Sequence, residues 1–265
     1  MSSGRTLRKA YVDLPDGQVH CRVVEGRDPA ILFLHQTASS SASYVPLLRA
    51  LRLPNRLVAI DTPGFGGSFD PEGDPSLADY AGWVVSVADG LGCDTFHIFG
   101  HHTGASLALH LGADLPRRVR SVILAGAEFM TVDEREALEA GLGTPLYPQA
   151  DGSHLLANWS YAAQFNPGCD VELLHQEVLS MARAWRGRAQ AYRAVARGDS
   201  VARARALACP ALILTSPGDY FHAMVDRARA ALPDAALAVT GGDNFQRSTD
   251  PDGVARAIEW FFAGL

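Results

Sequence analysis

The stretch Gly100-His101-His102-Thr103-Gly104 sets two histidines between glycines, after the apolar run Phe96-His97-Ile98-Phe99 and before small and apolar residues at helical spacing. A glycine-flanked turn from a buried strand into a helix lifts its middle side chain over the helix N-terminus. In the G-x-S-x-G pattern that side chain is a nucleophilic serine; here it is His102. The turn is costly in backbone strain, and a sequence with no use for it is free to relax it. A positive helix end disfavours an imidazolium, and a neutral imidazole is a base.

The elements that must hold this turn are legible as periodicity. Ala10 to Gly26 has two strand-like runs around Pro15, Asp16 and Gly17, the signature of an antiparallel hairpin. Then come short, nearly continuous apolar runs: AILFLH, LVAID, FHIFG, VILAGA, ALILTS and ALAVTGG. Such runs predict strands buried on both faces of a parallel sheet, and the helical patterns between most of them predict right-handed β-α-β crossovers. The alternation breaks between Ala127 and Leu207, where two helical patterns flank a Pro- and Gly-containing piece bearing Tyr147, His154, Trp159, Tyr161 and Phe165. A structureless loop of that length is improbable. The segment 131–206 therefore reads as a mobile helical cap over the C-terminal sheet edge, with 1–130 and 207–265 forming the core.

A chain of 265 residues, 48% hydrophobic, can bury a substantial core. Its net charge of -6 and scattered arginines give no footprint for nucleic acid. The N-terminus lacks an apolar signal core, and no stretch approaches the roughly 20 apolar residues that span a bilayer, so a cytoplasmic protein without membrane contact is expected. Cys21, Cys93, Cys169 and Cys209 are scattered, without metal-ligand spacing, and read as reduced and structural. Neither a metal nor a cofactor is expected.

Several motifs together resemble the α/β-hydrolase superfamily across essentially the whole chain. LFLHQTASS is similar to the family's first parallel strand and oxyanion loop. AIDTPGFGGS, from Ala59 to Ser68, is similar to its D-x-P-G-x-G-x-S segment, and FGHHTGASLA to its elbow. CPALILTSPGD resembles the strand leading to the triad acid, and TGGDNFQRSTDPDG the segment carrying the triad histidine. The resemblance implies an eight-stranded, mostly parallel sheet flanked by helices, with an inserted cap. It puts the acid at Asp219, sets His102 in the serine's place and Asn244 in the histidine's, and implies oxyanion donors at the Thr103 amide and near Gln36 or Thr37.

Only the acid of the triad survives, so ordinary serine chemistry is not expected. Ser39, Ser40, Ser41 and Ser68 follow turn-forming positions and read as loop hydrogen-bonders. The His102 ring extends further than a serine hydroxyl, toward the space of the missing histidine, where Asp219 orients it directly or through Asn244 or a water. Gln36, in place of the family glycine, either adds a donor or narrows the site. His35 ends a strand near the site, Glu128 follows a strand where some family members carry a relocated acid, and His154 and Trp159 belong to the cap; all four are candidates for touching substrate.

The expected protein is a cofactor-free enzyme on a small or medium organic carbonyl compound, with His102 as general base in lyase, elimination, cyclisation or C-C cleavage chemistry. The alternatives are hydrolysis of an ester or lactone by His102-activated water, and a non-catalytic binding protein on the same fold.

Overall fold

A computed structural model describes residues 5–265. The hairpin forms as β1 (Leu7–Leu14) and β2 (Gly17–Val24), paired antiparallel. The remaining strands are β3 (Arg27–Leu34), β4 (Asn55–Ile60), β5 (Phe96–His101), β6 (Val119–Ala125), β7 (Ala211–Thr215) and β8 (Ala236–Val239). They make one eight-stranded sheet in the order β1-β2-β4-β3-β5-β6-β7-β8, in which β2 meets β4 antiparallel and every pair from β4 to β8 is parallel.

Alternation along the strands builds two cores. Leu32, Leu34 and Ile98 face one side of the sheet and pack in one buried cluster; Ile31, Phe33 and Phe99 face the other side and pack in a second. Among the helices before the cap, α1 (Val45–Ala50) covers the second face, and α2 (Leu77–Gly90) and α3 (Thr103–Asp114) cover the first. A truncation such as Phe33→Ala removes a fully buried ring and costs about 3–5 kcal/mol. Burial on both faces holds through the central strands but fails at β8. There Leu237 and Val239 are exposed, because β8 is the sheet's edge and only its other side is packed.

Between β6 and β7 lie α4 (Val132–Leu142), α5 (Ser153–Phe165), α6 (Val171–Arg183), α7 (Gly187–Ala196) and α8 (Ser200–Arg205). The Pro- and Gly-containing piece thus holds a 13-residue helix, α5, and its prolines and glycines, among them Pro148, Gly152 and Pro167, fall outside that helix. After β7 come α9 (Val225–Ala231), α10 (Gln246–Thr249) and α11 (Pro251–Ala263). Among the described residues no helix is long and apolar enough to cross a membrane, and the four cysteines are unpaired.

Strand register gathers the chemistry. Leu34 pairs with Gly100, His101 with Ala125, and Ala125 with Leu214. The residues just past these ends, Gln36, His102, Glu128 and Asp219, therefore emerge at one end of the sheet, where open α/β sheets bind ligands.

Candidate active site

The turn between β5 and α3 forms as its glycines demand. His102 has φ 48° and ψ -117°, and it is the one non-glycine with positive φ among the described residues. That conformation costs a side-chain-bearing residue of order 1–3 kcal/mol. Gly104 makes it possible, since a Cβ there would collide with the Leu34 carbonyl of the neighbouring strand.

From this position His102 Nε2 lies 2.8 Å from Asp219 Oδ2. The pair is direct, with no intervening group. Asp219 stands at the N-cap of the 3-10 turn Tyr220–Met224, where its Oδ1 accepts the Phe221 N-H at 2.8 Å. Gly126 leaves room for the pair, because a Cβ at that residue would sit 2.7 Å from both His102 Nε2 and Asp219 Oδ2. Burial opposes ionisation of Asp219, but the His102 charge and hydrogen bond, with the His101 ring 3.6 Å away, outweigh it and hold the carboxyl well below the usual range. With Nε2 donating to that carboxylate, Nδ1 is the His102 nitrogen left to take a proton. Phe221 packs its ring edge against the imidazole at 4.8 Å between centroids.

His101 is fully buried. Its Nδ1 lies 2.9 Å from Arg247 Nη1, and a guanidinium only donates, so Nδ1 accepts and the ring proton sits on Nε2. That Nε2 faces Asp219 Oδ2 at 3.6 Å. Burial, then the neighbouring His102 charge, hold His101 well below the usual imidazole range, so it is neutral. His101, His102 and Asp219 have the residue types of a metal cluster. A metal-bound histidine, however, needs its bonding nitrogen bare and donates its other N-H to an acceptor. His101 has the reverse arrangement, which does not fit a metal.

A cavity of about 320 Å³ opens beside His102. Gln36, Thr37, Thr103 and Glu128 line its polar end; Leu138, Phe165, Met181, Val195, Phe221 and Phe245 are among its apolar walls. The Thr103 N-H begins α3 and has no acceptor within the helix, so it is free to hold a substrate oxygen. Glu128 is buried, and its Oε2 has no hydrogen-bond partner among the described residues. Burial raises its pKa to about 7 despite the opposing pull of the His102 charge. Near neutrality it can therefore give or take a proton.

The other candidates are engaged in structural contacts or lie outside the cavity. His35 is buried and spent on structure: Nδ1 donates to the Gln36 carbonyl at 2.8 Å and Nε2 accepts the Thr62 N-H at 3.2 Å. His154 caps a turn by accepting the Gln149 N-H and does not line the cavity. Trp159 lines a separate shallow groove with Val171 and His175. Asn244 borders the cavity without bonding to His102 or Asp219; its Oδ1 accepts the Tyr220 N-H at 2.9 Å and its Nδ2 donates to the Phe165 carbonyl at 2.8 Å. Its amide thereby joins the turn that bears Asp219 to the end of α5. Ser39, Ser40, Ser41 and Ser68 are buried, and none lines the cavity.

Sequence reasoning missed Arg247 and Glu177, a deeply buried ion pair behind the site, with Nη2 to Oε1 at 3.0 Å. The one available signal was an arginine three residues after Asn244, within the segment already singled out. Glu177, on α6, is a single acid in an amphipathic helix and gave none.

The model of the alpha/beta hydrolase fold family matches residues 29–146. Haloalkane dehalogenase 2 of Mycobacterium tuberculosis is 26% identical over 266 residues, covering 94% of this chain and 92% of that protein. The dihydrolipoyllysine-residue acetyltransferase component of the acetoin cleaving system of Cupriavidus necator is 33% identical over 99 residues, only 26% of its length. A solved E-2-(acetamidomethylene)succinate hydrolase superposes with a TM-score of 0.79 at 24% identity, over 97% of this chain and 100% of that one; a 2-(acetamidomethylene)succinate hydrolase of Mesorhizobium japonicum is 34% identical over 127 residues, 44% of its length. The chain has the α/β-hydrolase fold, and these relatives support an enzyme of the α/β-hydrolase superfamily.

Proposed function

We propose that this protein is a cofactor-free acid-base enzyme acting on a small, uncharged carbonyl compound, with the His102–Asp219 dyad as its general base. The observation that carries this is the 2.8 Å bond that places Asp219 on Nε2 of the residue at the elbow and leaves Nδ1 to accept a proton beside the cavity. His102 Nδ1 takes the proton from a carbon or hydroxyl of the substrate. The charge that develops on the carbonyl oxygen is held by the Thr103 amide. Glu128, in its protonated form, returns a proton to the departing or rearranged group. No Lys or Arg lines the cavity among the described residues, and Glu128 adds acidic character, so a carboxylate substrate would enter without a counter-charge. The five helices between β6 and β7 act as the cap that closes this space from water.

Screening small ketones, hydroxyketones and lactones for turnover tests the reading. His102→Ala is expected to lower the rate by roughly 100-fold to 10,000-fold, as removal of a general base does. Unchanged turnover in that variant transfers the chemistry elsewhere, and tight binding without turnover would instead make the protein a receptor. A second reading, hydrolysis by His102-activated water, is favoured by relatives whose names are those of hydrolases and dehalogenases. Reaction in ¹⁸O-water separates the two. Hydrolysis puts solvent oxygen into the product as a new bond, whereas proton transfer with elimination or cleavage does not.

A further inference from the structure

We infer that Arg247 is a positioning residue, orienting Gln36 so that its side-chain amide is an additional oxyanion donor, and fixing the His101 tautomer behind Asp219. The inference rests on the proposed acid-base reading of the same site. Arg247 is fully buried on α10 and reaches four segments that converge on the cavity. Its Nη1 donates to Gln36 Oε1 at 3.2 Å, His101 Nδ1 at 2.9 Å and the Asn244 carbonyl at 3.2 Å. Its Nη2 donates to Ser39 Oγ at 3.2 Å and Glu177 Oε1 at 3.0 Å.

The chemistry of the donor decides both orientations. A guanidinium has no lone pair to offer, so the end of the Gln36 carboxamide that faces it must be the oxygen. The Nε2 amino group is then the free end. It bonds to no protein atom among the described residues, and Gln36 lines the cavity on the loop after β3. A carboxamide held in this way presents N-H groups to a substrate oxygen without reorganising during the reaction. The same guanidinium denies His101 a proton on Nδ1, so its Nε2-H faces Asp219 Oδ2 from 3.6 Å, beyond hydrogen-bond distance but near enough for the N-H dipole to favour the carboxylate on which His102 depends. Glu177, on α6 of the cap, anchors Arg247 from above, so cap and oxyanion loop share one buried charge.

Two measurements on the full chain test this, and neither needs turnover, so the failure of this inference is separable from failure of the base assignment. The first is ¹⁵N NMR of the histidine rings. His101 is expected to carry its proton on Nε2 alone, and to become a mixture of tautomers in Arg247→Met/Glu177→Met, a double substitution that leaves neither charge buried without a partner. A proton on Nδ1 in the native protein, or tautomers unaltered by the double substitution, overturns the inference.

The second uses 4-nitrophenol, whose phenolate mimics an oxyanion and whose visible band reports its ionisation. The native protein is expected to prefer phenolate to phenol, and Gln36→Met to weaken phenolate binding by about tenfold or more, as loss of a charge-assisted hydrogen bond does. Arg247→Met/Glu177→Met should cost about as much, and adding Gln36→Met to it should cost little further, because both remove one donor. No phenolate preference in the native protein, or losses that multiply, overturns the donor role of Gln36.

Discussion

Two buried histidine–aspartate pairs share the same contact distance and differ in everything that surrounds it. His20 Nδ1 meets Asp61 Oδ2 at 2.8 Å, as His102 Nε2 meets Asp219 Oδ2. Asp61 is fully engaged: Oδ1 accepts the Ser41 N-H at 2.6 Å and Oδ2 also accepts the Gly67 N-H at 2.8 Å. It thereby staples β2, the loop after β3 and the glycine-rich turn together, which is the structural content of the D-x-P-G-x-G-x-S segment. His20 lies on an ordinary strand, against Tyr11. His102, by contrast, sits at a strained turn with a ring nitrogen unspent beside a cavity. A buried His–Asp contact is therefore no mark of catalysis by itself. A free nitrogen, a place for substrate and a backbone held under strain make the distinction.

The sharpest way to break this comparison is to neutralise each acid. Asp219→Asn should lower turnover by up to about 10,000-fold, as loss of an orienting carboxylate does in a triad, and should also cost stability, because this carboxyl too is buried and held well below its usual range. Asp61→Asn should act mainly on stability, reducing unfolding free energy by about 3 kcal/mol while turnover falls far less than in Asp219→Asn, because the variant breaks a buried pair that does not line the cavity. A crossed result, with Asp61 governing rate and Asp219 governing stability, would reverse the assignment of the two pairs.

Acid–base titration separates the regions next. The Glu128 carboxyl is raised from its usual range to about 7, so its contribution to stability is present below about pH 4.5 and is lost as pH rises through 7, amounting to about 3 kcal/mol. Asp61 has the opposite sign. Burial opposes its ionisation, but the hydrogen bond from His20 and its other partners lower it to about 2, so its contribution holds above about pH 4 and is lost as pH falls through 2. Denaturant titrations from acid to alkaline pH should show both slopes, and Glu128→Gln should flatten only the one approaching neutrality. The same variant should remove any alkaline fall in activity near pH 7. A fall that persists in Glu128→Gln rules that carboxyl out as the proton donor.

The smallest expected effect is on backbone strain. His102→Gly relieves the positive φ, worth of order 1–3 kcal/mol, but strips the buried Asp219 of its partner at a similar cost, so unfolding free energy should change by no more than about 1 kcal/mol while turnover falls as in His102→Ala, a separation measurable by urea unfolding. Destabilisation by that substitution would show that the imidazole–Asp219 bond outweighs the strain it imposes.

The apolar runs that became β3 to β7 were legible in the sequence because a strand buried on both faces leaves no room for polar residues. The elbow was legible too, since Gly104 admits no side chain against Leu34 and a histidine at the tip is visible as a residue type. Asp219 and Glu128 could be placed at the ends of their strands, and strand ends are what register aligns. Local pattern could not show which side of a ring is occupied. His35 stands as near to the oxyanion loop as any residue, yet both its nitrogens are taken by Gln36 and Thr62. Asn244 and Trp159 were placed by position along the chain, whereas their contacts depend on how α5 and α6 pack. The Arg247–Glu177 pair joins α10 to a cap helix 70 residues earlier. Its two charges carry no periodic signal, and only the tertiary fold, by excluding water from both, makes each the partner the other requires.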